Sequence, residues 1–294
     1  MEPLQVLEEL RLEVQKSGID EGVLKQFRTI VFTWYRENGR RFPWREHMDP
    51  YAVLVSELML QQTQAHRVAP KYDAFLARFP TFEALAAASL EEVLSTWRGL
   101  GYNRRALSLK RIAHVVVHQY GGRLPDDPGE LIKLAGIGPA TAASICAFAF
   151  NKPVVFLETN IRAVLIHVFC NDRAVVADTE LMELAGRVFP GHSARDWYNA
   201  LMDLGSALKK LLPNPSRRSA GHRRQEPFRG SRREIRGTVL RLLLAAERDL
   251  RQTELAVRAA VTPAVLASVV EDLAREGFLV IEKDAVRLAG RTVG

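Results

Sequence analysis

The stretch Leu131–Ala143, LIKLAGIGPATAA, decides how the rest of the chain is read. Gly136 and Gly138 stand between two apolar stretches of helical spacing, so a tight turn joins two helices there. Glycine tolerates positive φ and lets a phosphate come close to the backbone. The helix that follows points free N–H groups and its positive dipole end outward. On these residues alone, a phosphate-holding hairpin and an ordinary helix–helix turn both remain open.

Outward from the hairpin, helical periodicity dominates. LEELRLEV, VLKQFRTIVFTWYRE and AVLVSELMLQQ space their apolar residues as one face of a helix, and strand patterns are scarce over the first two hundred positions. Ser89 three residues before Glu92 reads as a capping box, and Gly99 after Trp97 and Arg98 as a stop. The segment Asn214–Arg236 changes character, with eight arginines and one histidine against Glu226 and Glu234. Beyond it, TVLRLLLAAE, TELAVRAA and TPAVLASVVEDLAREG predict three helices, and FLVIEKDAVRLAG predicts two strands turning near Lys283 and Asp284. Three helices and a hairpin make a winged-helix pattern. The expected division is a mainly helical domain over 1–212, an arginine-rich linker over 213–236 and a winged-helix domain over 237–294.

The 294 residues are 47% hydrophobic, enough for two cored units. A net charge of +7 suits a polyanionic partner, though basic charge alone does not require one. The two cysteines, Cys146 and Cys170, lie in apolar stretches and cannot build a disulfide framework or a tetrahedral thiolate site. The seven histidines show no metal-ligand spacing, so no metal is expected. The N-terminus lacks an apolar secretory core and no run of eighteen apolar residues occurs; a cytoplasmic, monomeric protein without membrane contact is expected.

Two carboxylates can divide acid and electrostatic work, one holding a proton for a leaving group and the other staying ionised against developing positive charge. Glu57 lies in the largely apolar run YAVLVSELMLQQTQ, surroundings that make a carboxyl hold its proton; a solvated helix-face glutamate is the plainer reading. Four motifs then bear on the choice: FPWR at Phe42–Arg45, SELMLQQTQ at Ser56–Gln64, WRGLGYNRRA at Trp97–Ala106 and L-x-G-I-G-x-x-T-A in the hairpin. Together, over roughly Ile30 to Leu211, they resemble the MutY-type adenine DNA glycosylases of the helix-hairpin-helix superfamily.

That resemblance implies a helix-hairpin-helix glycosylase fold with double-stranded DNA as partner. It puts Glu57 at the general acid and Glu158 at the stabilising carboxylate, and lines the base pocket with Arg40, Trp44, Arg45 and Asp203. Gln62 would fill the place of the flipped base and Tyr102 would wedge beside its partner. Gly136, Gly138 and Thr141 would hold a phosphate, and Arg217, Arg218, Arg223 and Arg224 would reach others.

Departures from the family pattern are equally legible. Glu158 in FLETNIRAV stands where the family has aspartate, with an N-cap as the alternative role. Ala140 occupies the place where strand-cleaving relatives carry a lysine, so no lyase step is expected. Four cluster-ligating cysteines are missing, which implies no iron–sulfur cofactor; a monovalent cation bound by the hairpin backbone would leave no side-chain signature and stays open. Asn103 replaces a tyrosine of the common GLGYY run, and no counterpart of the family's extra 8-oxoguanine-inspecting domain is visible. Excision of thymine or another damaged base, and DNA binding without chemistry, stay open as alternatives.

Overall fold

Short polar side chains set the helix starts. Asp20, Thr81, Ser89, Ser231 and Thr262 each accept the backbone N–H three residues on, satisfying a donor that has no partner within its own helix. At Ser89 the capping box with Glu92 is complete. The computed structural model describes residues 3–170, 172–223 and 227–291. Its helices run α1 Pro3–Ser17, α2 Glu21–Asn38, α3 Pro43–Glu46, α4 Pro50–Leu60, α5 Ala65–Arg78, α6 Phe82–Ala87, α7 Leu90–Trp97 and α8 Arg104–Gln119. They continue with α9 Pro128–Ile132, α10 Pro139–Phe150, α11 Thr159–Phe169, α12 Asp178–Val188 and α13 Ala194–Leu211. A 3₁₀ turn, Pro215–Arg218, leads to α14 Arg232–Leu244, β1 Leu250–Arg251, α15 Gln252–Ala259, α16 Pro263–Arg275, β2 Leu279–Glu282 and β3 Ala285–Leu288.

Two compact units result. The first contains Met1–Leu54, Asp126–Ile132 and Ile137–Arg224; the second contains Val55–Pro125, Lys133–Gly136 and Gln225–Gly294. The units therefore do not follow chain order: the C-terminal helices belong with α5–α8.

In the first unit α13 is the central helix, packed on α2, α10 and α11. Trp197 is fully buried and meets Phe27 at 5.9 Å and Phe32 at 5.5 Å between ring centroids. Close packing of α13 on α11 requires Gly205, since a Cβ there would fall 2.2 Å from the Asn160 carbonyl oxygen. The second unit packs α6 and α7 on α8, and closes its C-terminal part with an antiparallel sheet in the order β1-β3-β2.

The arginine-rich segment differs from a linker. Pro215, Ser216 and Ser219 are buried, Val176 and Ser219 form a β-bridge, and Ser219 Oγ donates to Asp178, which Arg162 also holds. The segment folds back along α11 because Asp178 supplies a carboxylate for it. Burial would raise the Asp178 carboxyl, but the Arg162 hydrogen bond, the largest influence, together with Ser219 leaves it below the ordinary range. The last helical trio also starts earlier than expected, at Arg232, because Ser231 caps it. A third strand, the two-residue β1, pairs Leu250 with Val286.

Candidate functional site

The first unit gathers four of the expected base-pocket residues. After α2 the chain turns through Arg40, and Pro43 starts the short α3 that presents Trp44 and Arg45. The Trp44 ring stacks on Phe42 at 4.6 Å and 9° between planes, and the Arg40 and Arg45 guanidinium centres lie 5.0 and 5.2 Å from the Phe42 ring centroid. Beneath them Asp203 of α13 has no exposed side-chain surface. Arg45 reaches it as a bidentate fork with both distances 2.8 Å, while Arg40 donates through its backbone N–H and Nε, each at 2.7 Å. Burial pushes the Asp203 carboxyl up, and the hydrogen bonds and charges of Arg45 and Arg40 outweigh it, leaving the group below the ordinary carboxylate range.

This arrangement alters the expectation for Asp203. Both its oxygens are occupied by arginine donors, so it holds Arg40 and Arg45 in position rather than offering a free face to a base. Tyr35 joins the same cluster through Arg45, and burial raises its hydroxyl.

Glu158 stands at the N-cap of α11. Its carboxylate accepts the Asn160 backbone N–H at 2.7 Å and the Asn160 side-chain amide at 3.0 and 3.2 Å. Asn160 is itself pressed by Gly205 of α13, so the position of the carboxylate depends on a glycine 47 residues further along the chain, a count read from the two residue numbers. Lys209, one turn beyond Gly205, completes this corner: burial lowers its ammonium, the Glu158 charge raises it and Arg40 lowers it. Asn160, Gly205 and Lys209 were not singled out by the sequence reading; the NI in FLETNIRAV and the G in MDLG were the available signals.

Glu57 belongs to the second unit. Along α4, Tyr51–Ser56, Leu58 and Met59 are all buried, and Glu57 is the half-buried carboxylate among them.

Gln62 and Tyr102, the expected intercalating pair, share a backbone peculiarity. Both are non-glycine residues in the left-handed region, with φ of 53° and 49°. One side chain ties both loops together: Arg105, 7% exposed. Its Nη1 donates to the carbonyls of Leu58, Met59 and Gln61 at 2.9, 2.7 and 2.5 Å, and its Nη2 to Thr63 Oγ1 and the Gly101 carbonyl at 3.0 Å. Burial lowers the guanidinium to about 10, with Tyr102 opposing. Trp97 Nε1 donates to the same Gly101 carbonyl at 3.0 Å. Arg105 was invisible to the sequence reading beyond its place in GYNRRA. Replacing it with lysine keeps a charge but loses the fork that spans both loops. Arg105→Lys is expected to cost about 2 kcal/mol in urea denaturation, and unchanged stability would remove this role.

At the hairpin, Gly136 has φ 76° and sits so close to α8 that a Cβ would meet Ser108 Oγ at 2.7 Å. Gly138 caps α10 without a side chain and a Cβ there would enter open space; Pro139 begins the helix. Thr141 lies half-buried in its first turn, and Ala140 is exposed without a nucleophile.

The four arginines expected on phosphate do not form one set. Arg217 and Arg223 are exposed, whereas Arg218 turns inward and donates to the Cys170 and Arg173 carbonyls at 3.4 and 3.2 Å, helping hold the folded-back segment. Arg224 lies outside the described residues. Both cysteines are buried; burial raises the Cys146 thiol to about 11 and the Cys170 thiol in the same direction. Two thiols cannot furnish the four thiolates of a family-type iron–sulfur cluster. Among the described residues no single helix is long and apolar enough to cross a membrane.

Residues 55–190 match the model of the HhH-GPD superfamily of base excision DNA repair proteins. Over 249 residues the chain is 33% identical to the adenine DNA glycosylase of Mycobacterium tuberculosis (strain H37Rv), covering 78% of this chain and 82% of that protein. Over 191 residues it is 36% identical to the adenine DNA glycosylase of Buchnera aphidicola subsp. Baizongia pistaciae, covering 64% of this chain and 54%, about half, of that relative. Among solved structures, a thermostable thymine-DNA glycosylase matches with a TM-score of 0.56 and 31% identity, covering 62% of this chain and 86% of the other.

Proposed function

Because the chain belongs to the HhH-GPD superfamily of base excision DNA repair proteins, we propose that it is a DNA N-glycosylase that turns a mispaired adenine out of double-stranded DNA and hydrolyses its N-glycosidic bond. The observation that carries this reading is Glu57, a half-buried carboxylate in a helix whose flanking positions are buried. Glu57 donates a proton to the leaving base, and Glu158, fixed by Asn160, faces the sugar cation before water adds. Trp44 and the Arg40–Arg45 pair held by Asp203 form the wall against which the flipped base rests. Gln62 fills the place that the base has left and Tyr102 wedges beside its partner, Gly136, Gly138 and Thr141 hold a backbone phosphate, and the exposed Arg217 and Arg223 reach other phosphates.

The product is an intact strand bearing an abasic site, since Ala140 offers no amine for a Schiff base. No iron–sulfur cluster takes part. The three C-terminal helices with their sheet form a winged helix, and the enzyme is expected in whichever compartment holds the DNA.

A second reading, release of thymine or uracil, is favoured by the likeness to the thermostable thymine-DNA glycosylase. Incubation with duplexes bearing A opposite 8-oxoguanine, A opposite G, T opposite G and uracil separates the readings. Alkali-labile sites should arise at adenine alone, with no nick before alkali. Cleavage at T or U selects the second reading, a nick without alkali or a borohydride-trapped adduct overturns the hydrolytic step, and no release from any duplex leaves only DNA binding.

A further inference from the structure

The C-terminal part of the second unit is fastened to α8 and the loop before it. Glu276 accepts from Arg104 Nε at 2.7 Å and from Arg236 at 2.5 Å, and its carbonyl accepts from Arg111 at 2.6 Å. Arg291 Nε donates to Glu91 at 3.0 Å. These ties bring the first turn of α14 onto Tyr102. The Arg233 guanidinium donates to Tyr102 Oη, and its centre lies 5.0 Å from the Tyr102 ring centroid and 5.5 Å from that of Phe228. Phe228 is 57% exposed.

A tyrosine on a left-handed loop residue, a guanidinium and an exposed phenyl ring thus lie in one cluster. Aromatic rings and arginine planes are the surfaces on which unpaired bases stack. The hydrophobic core does not need Phe228, and exposing a phenyl ring to water is unfavourable unless something covers it. Arg229, exposed and adjacent in sequence, adds a cationic donor suited to a nearby phosphate.

We propose that Phe228, Arg233 and Tyr102 form a stacking site for the purine left unpaired in the strand opposite the flipped nucleotide. The C-terminal module thereby takes part in choosing the partner base. The occupant is a nucleobase because the site adjoins Tyr102, and a purine because a two-ring face covers more of the cluster than a single ring. This inference rests on the glycosylase reading, which places Tyr102 beside that base.

The test uses the full-length protein and duplexes in which 2-aminopurine stands opposite a stable abasic analogue, beside matched duplexes with no base at that position. Wild type should quench the 2-aminopurine emission on binding. Phe228→Ala and Arg233→Ala should each lose the quenching and bind the purine-bearing duplex roughly tenfold more weakly, with little change on the duplex without it. Equal weakening on both duplexes, or unchanged quenching, overturns the stacking site. Arg233→Lys, which keeps charge without the plane, guards against a folding defect: it should lose quenching while retaining the melting temperature, and full quenching would count against the proposal. Excision by wild type, measured on the mismatch panel in parallel, separates the two failures. No excision from any duplex defeats the glycosylase reading, whereas excision with partner-independent effects of Phe228→Ala defeats only this inference.

Discussion

Replacing Glu57 with glutamine is expected to slow single-turnover base release by about 10²–10⁴-fold, the range associated with loss of a positioned acid. The amide preserves the size of the side chain within α4 but has no acidic proton to give. Affinity for an uncleavable duplex should change little, since the role proposed for Glu57 is on the leaving base and not on phosphate. Because its neighbours Ser56, Leu58 and Met59 are buried, the variant should keep its helical signal, which circular dichroism checks alongside the rate. Excision at the wild-type rate would exclude Glu57 from the chemistry and shift the proton donor elsewhere.

Asp203→Asn is the substitution expected to do most damage to the fold. The side chain has no exposed surface and accepts donors from two arginines at 2.6–2.8 Å. An amide would leave both guanidinium groups, Arg45 almost wholly buried, without their counter-charge, which costs about 3–5 kcal/mol. The pH dependence has a defined sign. Because the folded carboxyl titrates below its ordinary value, the ionised network contributes stability above the unfolded pKa of about 3.9 and loses it as pH falls through the lower folded value. Chemical denaturation from pH 7 down to pH 3 should therefore narrow the gap between wild type and Asp203→Asn at the acid end. A gap that stays constant, or a loss under 1 kcal/mol at pH 7, would show the pair to be loosely coupled. The same variant should lose base excision, since Arg40 and Arg45 would no longer be held against Phe42.

What the sequence made legible was local. The Gly136–Gly138 turn, the Ser89–Glu92 capping box and the bend at Lys283, which adopts φ 57°, all follow from residues within a few positions of one another. Contacts over long separations were not legible. Arg40 and Asp203 are 163 residues apart, and although the resemblance put both in one pocket, nothing in GRRFPWR or YNALMDLG announces that one closes on the other and consumes its carboxylate. Gly205 looks like a weak helix residue until α11 is seen to press against it. The arginine-rich segment read as a linker with arginines for phosphates because charge density is visible in a sequence, while Asp178 and Ser219, which tie part of it down, are two unremarked polar residues. β1 is too short to have a pattern, and it exists because β3 offers it an edge.

The left-handed conformations of Gln62 and Tyr102 bear on how such a protein would search a genome. A non-glycine residue held at positive φ costs about 1–2 kcal/mol, and Arg105 meets that cost in the free protein by bonding both loops from one buried guanidinium. If Gln62 and Tyr102 enter the duplex as proposed, they do so from loops already formed before any duplex is encountered. A protein sliding along undamaged DNA has no loop to order at each base pair, so its residence per step is set by how readily the pair itself opens, and a mismatch, which opens more easily, prolongs the stop without any change in the protein.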